Sequence, residues 1–362
     1  ALKRFGTAFG GYKMMENYPV PECGPDDIIL EIKAAAICGA DMKHWGVDNG
    51  YDDTNITPDQ QQSVRGHEFA GEIVKVGENV KDWHIGQRVV SDNSAHVCGV
   101  CPACEQGDFL CCEHKVNLGL DNNTWGGGFS KYCKVPGEIL AIHKHAIWEI
   151  PEGIKYEEAC VLDPICNAYK AVAQQSHLIP GQDVVVFGTG PLGLFSVQVA
   201  KLMGAVNIVM VGLDDDVKVR FGVAKELGAT HCVNGSKEDV VARCTEICGR
   251  DNLGLVIECS GANIALKQAI EMTRPNAEIV RVGMGFKPLE FSINDITAWN
   301  KSIIGHMAYD STSWRNCIRL LQSGQIKVQP MITHRLGLSQ WQEGFDLSLI
   351  HISEPTRRVV IS

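Results

Sequence analysis

No run in the sequence approaches the roughly 18 consecutive apolar residues that a membrane-spanning helix needs, so a transmembrane protein is not expected. The opening stretch, ALKRFGTAFGGYKMMENYP, lacks the apolar core of a secretory signal, and the chain is read as soluble and cytoplasmic. Positive charge is short as well. Lys plus Arg number 33 against 43 Asp plus Glu, the formal net charge is -10, and no basic stripe is available to follow a phosphate backbone, so nucleic acid is not expected as a partner. Internal repeats and low-complexity tracts are missing too, which leaves a globular protein. At 362 residues and 45% hydrophobic composition, the chain can bury a large core and form two domains.

Cysteine is abundant, at fifteen residues. Disulfides do not persist in a reducing compartment, so these are read as thiols or metal ligands. The densest stretch is HVCGVCPACEQGDFLCCEH, in which Cys98, Cys101, Cys104 and Cys112 follow the pattern C-x2-C-x2-C-x7-C. Gly99, Pro102 and Gly107 turn the backbone there, so that four thiolates can converge on one zinc. Such a site has no open position for substrate, and its role is to pin a polar loop of about 15 residues. A chance cluster of surface thiols is the alternative. Cys111 could replace Cys112 as the fourth ligand; Cys112 is preferred.

Up to about residue 155, short apolar runs broken by Gly and Pro, such as DDIILEIKAAAIC and GEIVKVGENV, read as strands of a mainly β region. Beyond it, strand and helix patterns alternate, which argues an α/β unit with a doubly wound parallel sheet. Within that half, Gly188, Gly190 and Gly193 form G-x-G-x-x-G between a strand at Val184 to Phe187 and a helix beginning near Pro191. The first glycine permits a tight turn, the second a close approach to a pyrophosphate, and the third close packing of helix on strand. Asp214 lies 21 residues past Gly193, where a carboxylate accepts from ribose hydroxyls. Asp214, Asp215 and Asp216 together repel a 2′-phosphate and favour NAD over NADP, with Arg220 as the residue that could reverse this. Pro191, Leu192, Val282 and Gly283 are assigned to the same cofactor site.

Three further segments carry candidate chemistry: AICGADMKHW with Cys38 and Asp41, VRGHEFAGEIVKVG with His67 and Glu68, and EACVLDPICNAYKA with Asp163. Singly, each residue is an ordinary core or surface side chain. Together they offer a thiolate, an imidazole and carboxylates, the donor set of a catalytic zinc with an open position.

The chain resembles the zinc-containing medium-chain alcohol and polyol dehydrogenases. The resemblance covers nearly the whole chain and rests on G-H-E-x-x-G-x-[IV]-x-x-V-G from Gly66 to Gly77, the cysteine loop, and the glycine motif at Gly188. It implies a GroES-like, mainly β catalytic domain over residues 1–160 and 302–362, and a Rossmann cofactor domain over 161–301. It implies two zinc ions per chain and NAD, with Cys38, His67 and Asp163 in the positions of the catalytic-zinc ligands. Glu68 matches a glutamate that is a direct or an exchangeable ligand, and Asp41 a carboxylate that orients the imidazole. The stretch from Asp163 through NAYKA is closer to the threonine and sugar-alcohol dehydrogenase branches.

The implied reaction is hydride transfer from a polyol or sugar-derived secondary alcohol to NAD, giving a ketone, with the metal lowering the pKa of the alcohol. L-Threonine 3-dehydrogenase is the rival within the class; a non-catalytic NAD- or zinc-binding regulator is the rival outside it. A quinone reductase would need neither the candidate ligand set nor the cysteine loop. Ala40 stands where the family commonly has a relay hydroxyl, so Lys43, His44 or ordered water must carry the proton; Lys43 is chosen. The polar stretch GVDNGYDDTNITPDQQQSV is expected either to border the cleft and suit hydroxyl-rich ligands or to be solvated without a substrate role. RRVVIS, near the end of the chain, is able to supply a last strand, and no function is placed on that tail. The apolar segment NKSIIGHMAYD is read as an edge strand, and a homodimer or homotetramer is expected.

Overall fold

The structure, a computed structural model, describes residues 1–4, 11–42, 45, 63–121, 125–285, 287–350 and 358–361. Two sheets organise the chain. The first has seven strands, six of them in the order Ile332–Leu336, Arg358–Ile361, Ile28–Ala36, Glu68–Val76, Arg88–Ser91 and Ile147–Glu149, while Tyr132–Val135 pairs separately with Ile28–Ala36. The strand expected of RRVVIS is therefore present. Ile28–Ala36 is apolar enough to be buried at both ends, and Glu68–Val76 pairs with it antiparallel in a register that sets Ala36 opposite Glu68. That register matters for chemistry: Cys38 and His67 lie just past the paired ends, so two residues 29 apart in sequence are delivered to one place.

The second sheet is fully parallel. Its strands are β1 (Val184–Phe187), β2 (Ile208–Gly212), β3 (His231–Asn234), β4 (Leu255–Glu258), β5 (Glu278–Arg281) and β6 (Ser302–Gly305), in the spatial order β3-β2-β1-β4-β5-β6. In β1, Val184 and Val186 face one apolar layer while Val185 and Phe187 face the other, because successive side chains on a strand point to opposite faces. A strand covered on both sides must be apolar throughout, which is why VVVF shows no alternation. Each buried valine there contributes roughly 1.5–3 kcal/mol of transfer free energy.

One boundary moves. The return to the first domain was expected at residue 302, but Ser302–Gly305 is the sixth strand of the parallel sheet, paired residue by residue with Glu278–Arg281. The segment NKSIIGHMAYD thus belongs to the cofactor sheet, at its edge, with Ile303 partly exposed.

The helix Leu162–Tyr169 leads from one sheet to the other. Ile165 and Cys166 on it share a core with Ala34, Ala36 and Ala70 of the first sheet and Val184 and Val186 of the second. It runs directly into a π-helical turn, Lys170–Gln175. Together they carry Asp163 and Asn167 to the wall of a cavity between the two sheets.

Candidate active site and metal centres

The cavity holds about 760 Å³. From the first sheet and its connections it is lined by Cys38, Ala40, His67, Glu68, Asn93, Leu110 and Lys115; from the cofactor side by Gly190, Pro191, Leu192, Val282 and Gly283. Asp163, Asn167, His306 and Tyr309 fill the wall between.

At one end, ligand atoms of Cys38, His67 and Glu68 lie within 4.8 Å of one another. Asp41, fully buried, accepts from the Cys38 backbone N–H at 3.0 Å and sets its other carboxylate oxygen 3.6 Å from His67 Nδ1. That leaves Nε2 as the nitrogen to face a metal. Burial disfavours charge on both ligands, yet the Cys38 thiolate and the Asp41 carboxylate together raise His67 well above its ordinary pKa. Burial pushes the Cys38 thiol up, with His67 opposing and Glu68 reinforcing. Without a cation, three acidic groups compete around one imidazole; a bound dication removes that conflict, so the donor set fits zinc.

Asp163 lines the same cavity but stands outside this three-residue group. Tyr309 Oη and Asn93 Nδ2 lie 2.8 and 3.2 Å from its Oδ2, and Asn167 Nδ2 donates to its Oδ1 at 3.0 Å. Of the two carboxylates weighed for the third ligand position, the one grouped with Cys38 and His67 is Glu68. His306 contacts Gln175 Oε1 through Nδ1 and Asn167 Oδ1 through Nε2, and burial together with the nearby Lys170 lowers its pKa to about 4. Ala40 brings no hydroxyl to the cavity, and Lys43, His44 and nearly all of the polar stretch before Arg65 lie outside the described residues.

The cysteine loop folds as a lobe against the first-sheet core, in which Cys104 and Cys112 take part. Cys98, Cys101, Cys104 and Cys112 bring their sulfurs within 4.8 Å of one another, with the sulfurs of Cys98 and Cys104 4.0 Å apart. Zn–S bonds of about 2.3 Å place tetrahedral sulfurs about 3.8 Å apart, so the group fits a closed zinc site. Cys111 is exposed and stands outside the group. Backbone N–H groups of Val100 and Cys101 stabilise the Cys98 thiolate and bring its pKa down to about 6, while burial and the neighbouring sulfurs push Cys104 to about 12.

At the glycine loop, Gly188 has φ +92°, and a Cβ on Gly193 would stand 1.8 Å from the Gly188 carbonyl oxygen. A Cβ on Gly190 would meet no heavy atom within 4 Å. Loop and helix thus touch at Gly193, while Gly190 opens onto the cavity beside the start of the helix Pro191–Leu202, the arrangement that receives a pyrophosphate. Asp214 and Asp215 sit exposed just past β2, and Asp214 contacts Asn234 and Lys237. Asp216 differs: it is buried, accepts from Thr189 Oγ1 and the Leu213 N–H, and pairs with buried Arg220.

Sequence reasoning missed Asn93, Asn167, His306, Tyr309 and Lys115. Asn167 and His306 stood in segments noted for other reasons, NAYKA and NKSIIGHMAYD, but no local spacing ties them to Cys38.

Two metal-fit sites, one closed and one open beside a dinucleotide loop, define a zinc-type dehydrogenase. The alcohol dehydrogenase GroES-like domain model matches residues 24–145 and the zinc-binding dehydrogenase model residues 191–323. The chain is 79% identical over 346 residues to the zinc-type alcohol dehydrogenase-like protein YdjL of Escherichia coli K12, covering 96% of this chain and 94% of that protein. It is 31% identical over 339 residues to D-arabitol-phosphate dehydrogenase of Enterococcus avium, covering 93% and 91%. The crystal structure of 2R,3R-butanediol dehydrogenase from Bacillus subtilis superposes with a TM-score of 0.83 at 29% identity, covering 99% and 98%. The chain belongs to the zinc-containing alcohol and polyol dehydrogenases.

Proposed function

We propose that this dehydrogenase oxidises a polyol or sugar-derived secondary alcohol to the ketone with NAD as hydride acceptor. The observation that carries the reading is the single cavity shared by Cys38, His67 and Glu68 at one wall and Gly190 at the other. Cys38, His67 and Glu68 would hold the catalytic zinc, with Asp163 facing the substrate from the same cavity and Asp41 orienting the His67 ring. Zinc at that site supplies the electrophile that makes the alcohol acidic near neutral pH. Asn93, Asn167 and His306 make that wall polar, which suits a hydroxyl-bearing ligand, although in this structure their contacts run to Asp163, Tyr309, Gln175 and one another. Cys98, Cys101, Cys104 and Cys112 hold the second zinc, and Lys43 carries the proton outward. None of the fifteen cysteines is in a disulfide, which suits a reducing compartment such as the cytoplasm, and no described helix is long and apolar enough to cross a membrane.

The test is a panel of polyols, polyol phosphates and amino alcohols scored for NADH formation, alongside elemental analysis. Turnover of a polyol with two zinc ions per chain supports the reading; exclusive turnover of L-threonine moves the protein to the amino-alcohol branch, and two bound zinc ions with no turnover of any alcohol favour a regulator.

NAD should exceed NADP in kcat/KM by at least about tenfold, or about 1.4 kcal/mol. Close like charges cost on the order of 1 kcal/mol or more at surface dielectric, and Asp214 and Asp215 supply them. Arg220, held by Asp216 and Thr189 in the interior, is not placed to compensate. Equal turnover with both cofactors would refute the assignment. A homodimer or homotetramer is expected through the β6 edge, beside which Ile293 and Trp299 are exposed. Light scattering showing a monomer at micromolar concentration would overturn it.

A further inference from the structure

The four-cysteine lobe contributes directly to the substrate cavity. Between Cys104 and Cys112, three consecutive residues face inward. Leu110 is buried and lines the cavity itself. Phe109 packs against His143 at a centroid distance of 4.1 Å with the rings tilted by 32°; His143 Nε2 lies 2.5 Å from the Asp92 carboxylate, and the Asp92 carbonyl is 2.8 Å from Tyr309 Oη, which contacts Asp163. Asp108 pairs with Lys170 at 2.6 Å.

Lys170 is the unexpected member of this set. It is 8% exposed, a rare location for a lysine, and it begins the π-helical turn after the helix that carries Asp163 and Asn167. Besides Asp108 it reaches the Met307 carbonyl at 3.5 Å, within the segment His306–Tyr309 that forms the cavity wall. One buried ammonium thus joins the lobe, the interdomain helix and the wall. A buried ammonium is held in place by its partners, and here the carboxylate partner is supplied by the lobe, through Asp108.

We propose that Lys170 is a positioning residue that clamps the four-cysteine lobe to the substrate cavity, so that metal occupancy of the closed site sets the affinity for the alcohol. The proposal rests on the dehydrogenase reading above, and one arm of its test needs no substrate.

In a Cys38→Ser background, where the metal in the lobe is the one that reports, release to a chromophoric chelator should be about tenfold faster in Lys170→Met and in Asp108→Asn. In the otherwise native holoenzyme the same variants should raise the alcohol KM about fivefold or more, with kcat and the NADH dissociation constant within about twofold. Lys170→Arg should recover most of the KM, since it restores a cation opposite Asp108. The double variant should be no worse than the poorer single one, because both remove a single interaction. Asp108→Asn, at the partly exposed end, covers the case in which Lys170→Met does not fold. Native release rates in Asp108→Asn, or effects that simply add in the double variant, would overturn the proposal. If no alcohol is oxidised at all, the functional reading fails while the release experiment still decides the clamp.

Discussion

Replacing Cys38 by serine should lower kcat/KM for the alcohol by about 10³-fold or more, equivalent to at least about 4 kcal/mol of transition-state stabilisation. A thiol titrates near 8.5 and serves as an anionic ligand; a serine hydroxyl does not ionise at neutral pH and leaves His67 and Glu68 as the two remaining donors of the cluster. The loss is specific. Cys38 lies just past a strand of the first sheet, while β1, the glycine loop and the helix Pro191–Leu202 are built from other residues, so NADH affinity should stay within about twofold of native. Elemental analysis of the variant should show the four-cysteine metal retained. Rapid alcohol oxidation by Cys38→Ser would show that the metal held there does not carry the reaction.

The second large effect is expected from a single methyl group. Gly193→Ala places a Cβ 1.8 Å from the Gly188 carbonyl oxygen, well inside contact distance, and that oxygen belongs to a residue already at φ +92°. The loop must open, or the helix Pro191–Leu202 must move away from it by more than 1 Å on van der Waals grounds. Either motion takes the backbone N–H groups at the helix start away from the pyrophosphate. The NADH dissociation constant, measured by calorimetry, should rise about 100-fold or more, or about 2.7 kcal/mol. Gly190→Ala is the informative contrast. Its Cβ meets no protein atom, so any loss there reports contact with the cofactor and not disruption of the loop. A Gly193→Ala protein with near-native NADH affinity would mean that the dinucleotide does not lie on this turn.

What the sequence made legible depended on spacing within one segment. The glycine motif and the four cysteines are local patterns whose ligand geometry follows from a few intervening residues, and the structure places both sets as such compact units. The alternation of strand and helix in the second half was equally readable at β1, β2, β4 and β5, which carry short apolar runs, whereas β3, HCVN, has no such run and was not singled out. The environment of Asp163 was not readable. Tyr309 and Asn93 reach it across 146 and 70 residues, and no periodicity connects such positions. Lys170 stood in plain sight within NAYKA, but its burial depends on Asp108 from another segment, 62 residues away. The domain boundary was misplaced for a related reason: an isolated strand such as SIIG does not announce which sheet it will join.

The position of the strand Arg358–Ile361 has a consequence for how the molecule is made. It lies in the interior of the first sheet, parallel to Ile332–Leu336 and antiparallel to Ile28–Ala36, although more than 300 residues separate it from the latter. The parallel sheet is assembled from one continuous stretch, β1 to β6, and can form as soon as that stretch leaves the ribosome. The first sheet must instead hold a gap between its earliest and its latest strands throughout synthesis, with the backbone groups of Ile28–Ala36 waiting for their last partner. A nascent chain stalled before Arg358 would therefore have all six strands of the cofactor sheet but lack the strand that joins Ile332–Leu336 to Ile28–Ala36 in the first one.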